Sequence, residues 1–329
     1  MSFALAILIV SAVVFGFLTG FHNSANIVAT PIASRAIRPR RSLLLASIGT
    51  FIGPFLFGVA VAETIGTGIT DPQNITMPVV IAGTLAAIVW GLFTWWRGIP
   101  SSSSHALIGG LVGAVIVAEG IQVIKFDGLV RIGLALLISP LLGLAAGYLV
   151  MKTTIYVARG ATPNINTFFK RSQLFSAFGL ALTFGTNDAQ KTMGIITLGL
   201  VAGGFIPMFE VPTWAIALSA LSVSVGVAIG GRSLISTLGF RIVRIRPVHG
   251  FVSQVSAALV VLGASLSGGP VSTTQVISAS IMGAGSAERV SKVRWVIGYQ
   301  MMMAWLLTVP VSCVLAALLY YPLSWLVDL

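Results

Sequence analysis

Long apolar runs, interrupted at intervals by short charged clusters, organise this chain. Ten such runs can be drawn, at 2–34, 42–62, 77–96, 100–118, 128–151, 172–202, 213–231, 249–267, 271–287 and 295–318. Most match the roughly 17–25 apolar residues that a helix needs to cross the hydrocarbon of a bilayer. The first and sixth are too long for simple spans at about 1.5 Å per residue. Each also holds a polar interruption, so both are expected to be broken or tilted helices. The fourth and ninth are short and begin after a proline, and they read as half-helices or parts of re-entrant hairpins. The expected fold class is an all-α polytopic membrane protein with about ten transmembrane segments.

Composition supports this reading. The chain of 329 residues is 56% hydrophobic and only 8% charged, whereas a soluble domain carries about a quarter charged residues. The 36 glycines suit close helix packing in a membrane. Cys313 is the single cysteine, which excludes an intrachain disulfide. Met1–Thr19 has no basic leading region and no convincing small-residue cleavage site, so it is read as a retained first span.

The net charge of +11 would suggest nucleic acid, but its distribution follows membrane topology. Arg35, Arg38, Arg40 and Arg41 follow the first run, and Arg97 the third. Lys152, Arg159, Lys170 and Arg171 follow the fifth, Arg232, Arg241, Arg244 and Arg246 the seventh, and Arg289, Lys292 and Arg294 the ninth. Sixteen of the nineteen basic residues thus fall on one side of a ten-pass arrangement. The other side carries Glu63, Asp71, Glu119, Asp127, Glu210 and Asp328, with Lys125 and Arg131 as its only bases. The positive-inside rule then puts the basic loops in the cytoplasm and both termini outside.

The chain repeats itself. Gly20-Phe-His-Asn-Ser-Ala-Asn26 aligns with Gly185-Thr-Asn-Asp-Ala-Gln-Lys191 at an offset of 165. Pro100-Ser-Ser-Ser-Ser-His105 aligns with Pro270-Val-Ser-Thr-Thr-Gln275 at an offset of 170. The expected organisation is a first repeat over 1–151, a cytoplasmic linker over 152–171 and a second repeat over 172–329. Five crossings per half is an odd number, so the second half would insert upside down. That is the inverted-repeat plan of many secondary transporters.

Two kinds of motif carry chemistry. Ser102, Ser103 and Ser104, and again Ser272, Thr273 and Thr274, stand where a helix begins. A helix start offers free N–H groups and a partial positive charge, and added hydroxyls make it a site for a tetrahedral oxyanion. The plainer alternative is that these are N-caps and packing hydroxyls; their recurrence in both halves favours the site. The polar interruptions are the second kind. Asn187, Asp188, Gln190 and Lys191 lie at membrane depth, where an ionised group costs about 2.5–3.5 kcal/mol on insertion scales. Asp188 and Lys191 are spaced to neutralise one another. They read either as a structural ion pair or as a coupling-ion site with Asp188 as the negative ligand or proton acceptor. Asn23 and Asn26 occupy the matching positions in the first half. His22, His105, Gln190 and Gln275 are read as supporting neighbours, and no residue spacing suggests a resident metal site.

These four motifs resemble those of the PiT family of inorganic phosphate transporters, in its compact bacterial form, and the resemblance covers the whole chain. It implies a symporter that imports phosphate, as the free anion or a metal complex, driven by sodium or protons and without a cofactor. It implies phosphate against Ser102, Ser103, Ser104, Ser272, Thr273 and Thr274. It places the coupling cation near Asn23, Asn26, Asn187 and Asp188. It also implies a bacterial cell membrane, a lipid environment and no nucleic-acid partner, and leaves room for a homo-oligomer. Two positions depart from the family pattern: Asn23 stands where an acid is expected, and Lys191 where the more symmetric members carry Asn. The expectation is that Lys191 stands in for a bound cation.

Three rivals compete. A sulfate or other oxyanion permease would use the same helix-start chemistry. A passive anion channel is the second. An intramembrane hydrolase would use one of Ser101–Ser104 with His105 or His22, but serine and histidine neighbours are not expected to face each other on a helix, and Gln275 stands where the second half would need a base. The chain is therefore not expected to be an enzyme or to hold a catalytic residue.

Overall fold

Where water is absent, a chain must pair its backbone polar groups within itself, and helices do this within each segment. The computed structural model describes residues 3–99, 101–230, 243 and 245–327, and its described residues form α-helices and short 3-10 turns without a strand. Pro100, Arg232, Arg241, Arg244 and Asp328 lie outside the described residues. Eleven α-helices are described: α1 Phe3–Ala33, α2 Pro39–Ile52, α3 Ala60–Gly68, α4 Met77–Trp96, α5 Ser103–Glu119 and α6 Phe126–Val157, then α7 Ile165–Ala202, α8 Thr213–Ile229, α9 Pro247–Leu266, α10 Thr273–Glu288 and α11 Trp295–Val327.

Five of these, α1, α4, α6, α9 and α11, are long and apolar enough to cross a membrane, and α2 with α3 makes a sixth if that bent pair is one span. The chain is thus a multi-pass membrane protein. α5 and α8 are shorter apolar helices. α5 has 17 residues and α10 has 16, in keeping with the short fourth and ninth runs.

Of the two readings of the first and sixth runs, broken or tilted, the structure overturns the first. α1 and α7 are unbroken α-helices of 31 and 38 residues. Their polar stretches leave the backbone ladder intact because the side chains find partners on other helices. The break falls instead in the second run, where Pro39–Phe55 and Ala60–Gly68 meet at 69°, with Gly58 at a φ of 75° in the connection. The stretch 152–171, read as a linker, is mostly helical, since α6 runs on to Val157 and α7 begins at Ile165.

Glycines set the closest helix contacts. In each case below an added Cβ would overlap a backbone atom of the partner helix. Gly20 of α1 lies on Val223 of α8, while Gly185 of α7 lies on Thr50 of α2. Gly226 lies on Phe17, and Gly53, just past α2, on Leu182. Gly113 of α5 lies on Cys313 of α11, while Gly283 of α10 lies on Leu144 of α6. The pairs exchange: the step from Gly20 to Gly185 is also the step from Phe17 to Leu182, and the step from Thr50 to Val223 is also that from Gly53 to Gly226. Association in lipid rests on such packing, because burial from water drives nothing there.

Candidate functional site between two helix starts

Two N-termini abut at the centre of the bundle. Ser102 is the N-cap of α5; its side chain accepts from the N–H of His105. Ser272 caps α10 in the same way, accepting from Gln275. Ser104 Oγ donates to the Val271 carbonyl at 2.8 Å, which ties one helix start to the other across the fold. The N–H groups of Ser103, Ser104, Thr273 and Thr274 occupy the first two positions of their helices and so have no acceptor within them.

A chain of polar contacts closes around these starts. Lys191 Nζ donates to Asp188 Oδ1 at 2.6 Å and reaches Ser103 Oγ at 3.4 Å. Asn23 Nδ2 donates to Asp188 Oδ2 at 2.6 Å. Thr274 Oγ1 donates to Asn23 Oδ1 at 3.1 Å and accepts from Asn26 Nδ2 at 2.9 Å. Asn26 Nδ2 also lies 2.7 Å from Asn23 Oδ1. With the Ser104–Val271 bond, α5, α7, α1 and α10 are joined in a ring. Asn23, Asn26, Asp188, Lys191 and Thr274 are all buried in it.

The ring carries one carboxylate and one ammonium, so its side chains are neutral in sum. Each helix start adds roughly half a positive charge. The arrangement therefore has electrostatic room for an anion without an arginine.

The six hydroxyls divide. Ser102 and Ser272 serve as caps, Ser104 ties the helix starts together, and Thr274 belongs to the ring. Ser103 and Thr273 stand at equivalent first positions of α5 and α10. Of the residues read as a cation site, Asn23, Asn26, Asp188 and Lys191 come together. Asn187 does not: it donates to Ser265 Oγ of α9 at 3.0 Å.

The supporting neighbours also separate. Gln190 braces the bend between α2 and α3, accepting from Val61 N–H at 2.7 Å and donating to the Gly58 carbonyl at 2.8 Å. Gln275 is buried one turn inside α10 and gives its N–H to the cap. His22 borders the ring, sharing with Ser103, Thr19 and Ser101 a cavity of about 20 Å³. His105 Nδ1 lies 2.7 Å from Ser102 Oγ, three residues earlier, a spacing to which the expectation for serine and histidine adjacent in sequence does not extend. The cap explains the contact: Ser102 accepts from the His105 N–H, which brings the imidazole back over it.

Sequence reasoning missed a further polar link between α1, α7 and α9. Ser34 Oγ donates to Gln173 Oε1 at 2.9 Å, and Gln254 Nε2 donates to Thr30 Oγ1 at 2.9 Å. The available signal was a buried glutamine in each of two apolar helices, Gln173 and Gln254. A larger cavity of about 720 Å³ opens beside the loop into α10, lined in part by Lys125, Asp127, Arg131, Gly268 and Pro270.

Comparison with known proteins bears on this geometry. The profile described as the phosphate transporter family matches residues 19–316. A "probable low-affinity inorganic phosphate transporter" of Bacillus subtilis (strain 168) is 38% identical over 322 residues, covering 97% of this chain and 96% of that protein. A protein of the same description from Rhizobium meliloti (strain 1021) is 39% identical over 316 residues, covering 95% of each. A solved structure described as "the sodium-dependent phosphate transporter" matches with a TM-score of 0.89 at 23% identity, covering 98% of this chain and 99% of its own. At that identity the likeness shows the fold alone.

Proposed function

The chain belongs to the phosphate transporter family, a family of transporters and not of enzymes, and from that premise we propose that it is a symporter. Its cargo is inorganic phosphate, imported across the cell membrane by alternating access and driven by a proton or sodium gradient. The observation that carries this reading is the junction of two helix starts at Ser104 and Val271, with Ser103 and Thr273 at matching positions beside a neutral polar ring.

Phosphate binds between the two starts. The N–H groups of Ser103, Ser104, Thr273 and Thr274 and the hydroxyls of Ser103 and Thr273 donate to its oxygens. Ser102 and Ser272 hold the helix ends in shape, and Thr274 relays the position of α10 to Asn23 and Asn26. A hydrogen bond to a charged group contributes about 1.5–3 kcal/mol, so a few of these donors suffice to hold a dehydrated anion. Lys191 occupies the place of one coupling cation beside Asp188, which favours proton coupling or fewer sodium ions per phosphate. The comparison structure is described as sodium-dependent, which keeps sodium as the competing driver.

The halves 1–151 and 172–329 are read as inverted repeats of five segments each, joined by 152–171, with both termini outside. The exchanged glycine contacts support this, because two like halves related by one axis make each interhalf contact twice. Rocking of one half against the other would open the buried ring to each side in turn.

The experiment is uptake of radioactive phosphate into proteoliposomes, with sodium and pH gradients imposed separately and sulfate as competitor. Accumulation under one gradient, unaffected by excess sulfate, is expected. Folded protein that accumulates phosphate under neither gradient would sink the symport reading.

A further inference from the structure

The end of α1, the start of α2 and the start of α7 surround a surface cavity of about 470 Å³. Arg38 and Arg41 line it from one segment, Lys170 and Arg171 from another about 130 residues later in the chain. All four are exposed. No carboxylate lines the cavity, and the ion pairs among the described residues engage none of these four cations. Apart from Thr167 the remaining wall is apolar and includes Ile37, Leu174 and Phe175. Leu174 is 45% and Phe175 77% exposed.

A topology signal needs only basic residues in a loop; it does not need two distant segments to bring four cations to one concavity. Like charges so gathered repel one another, and an anion among them relieves that repulsion. The apolar wall selects the kind of anion. A free inorganic anion gains nothing from Leu174 and Phe175, whereas an amphiphile places its charge on the cations and its hydrocarbon on the wall. Basic pockets between membrane helices are suited to anionic lipid headgroups.

We propose that this cavity binds the phosphate-bearing headgroup of an anionic phospholipid, with its acyl side against Leu174 and Phe175. The site is separate from the helix-start junction and does not depend on the transport reading. It is tied to the transport helices from below: Ser34 at the end of α1 donates to Gln173 at the start of α7, and Gln173 donates to the Pro247 carbonyl at 3.0 Å. A bound lipid therefore bridges the start of α2 to the start of α7, beside the Ser34–Gln173 bond that joins the end of α1 to α7.

The test is native mass spectrometry of the purified full chain titrated with phosphatidylglycerol or phosphatidylcholine. R38Q/R41Q is compared with R35Q/R40Q, which removes the same charge from the same turn outside the cavity. K170Q/R171Q removes it from the opposite wall and guards against a folding defect in one variant. At roughly 1 kcal/mol per cation near a surface, each cavity variant is expected to lose about 30-fold in phosphatidylglycerol affinity. R35Q/R40Q should retain it, and phosphatidylcholine should bind weakly throughout. Equal loss in all three variants would show a diffuse surface charge and overturn the site. Equal binding of the two lipids would do the same. Displacement of the lipid by millimolar inorganic phosphate would assign the cavity to a free anion instead.

Discussion

Lys191 Nζ and Asp188 Oδ1 lie 2.6 Å apart one helical turn along α7, with side-chain exposures of 0% and 2%. Removing one partner of such a pair leaves an uncompensated buried charge, at a cost of about 3–5 kcal/mol. On the proposed reading Lys191 stands where a coupling cation would meet Asp188. Lys191→Asn removes the resident ammonium and offers another amide oxygen, so a metal cation is expected to take its place. The expected outcome is uptake that becomes dependent on sodium, at least about tenfold faster in sodium than in potassium at fixed pH, given the size of the charge left to be balanced. Undiminished uptake by K191N without sodium would show that Lys191 holds no cation's place. Asp188→Asn, which strands Lys191 without an acceptor for its charge, is expected to abolish uptake and lower the yield of folded protein.

Ser103 and Thr273 are expected to separate from their neighbours in binding assays. Each stands at the first position of its helix with no capping duty, so its loss should spare the fold. Ser103→Ala and Thr273→Val should each raise the KM for phosphate about tenfold or more, the worth of one hydrogen bond to a charged group. Ser272→Ala removes a cap instead and should cost about 1 kcal/mol of stability. Thermal unfolding measured beside uptake distinguishes the two effects; loss of stability without a change in KM at Ser103 would remove it from the site.

The residue types legible in the sequence were those that cannot be placed cheaply in lipid. Composition alone required a membrane; Asp188 and Lys191 could be picked out because ionised groups are costly at membrane depth, and the paired Ser/Thr clusters because their recurrence in two halves is improbable by chance. What the sequence withheld was direction. Asn187 and Asp188 are neighbours, yet helical phase turns one toward Ser265 on α9 and the other toward Asn23 on α1. The polar stretches of α1 and α7 suggested breaks because interhelical partners such as Thr274 and Ser103 cannot be read from local sequence. The real bend hides in the apolar run Phe51–Ala60, where hydropathy does not change; Gly53, Pro54 and Gly58 were its local marks.

Glycine contacts offer a test that does not involve the site. A methyl group on Gly113 or Gly283 would collide with the Cys313 or Leu144 carbonyl, a rigid backbone atom that cannot rotate away. Gly113→Ala and Gly283→Ala should therefore lower the melting temperature in detergent by similar amounts. Gly133 and Gly179 are helical positions with open space around their Cβ direction. Gly133→Ala and Gly179→Ala should be neutral or stabilising by up to about 1 kcal/mol, since alanine is the better helix former. A fall at all four positions alike would mean that close packing at Gly113 and Gly283 is not the cause.

Gln190 holds the α2–α3 bend by acting as donor and acceptor at once. Its amide fills the Val61 N–H and the Gly58 carbonyl, two groups that the helix break leaves without a partner. Gln190→Leu keeps the volume and removes both bonds, at about 1–3 kcal/mol for each buried group left unsatisfied. Gln190→Glu keeps an acceptor for Val61 and loses only the donor to Gly58, at the added cost of a buried charge. Hydrogen exchange reports the difference at the Val61 amide: Q190L should exchange faster there than the unaltered protein, while Q190E should keep its protection. The bend is expected to relax before α7 does, because α7 keeps its own backbone ladder through Gln190 whatever the side chain touches. Protection at Val61 unchanged in Q190L would show that the bend is held by packing of Gly53 on Leu182 and not by the amide.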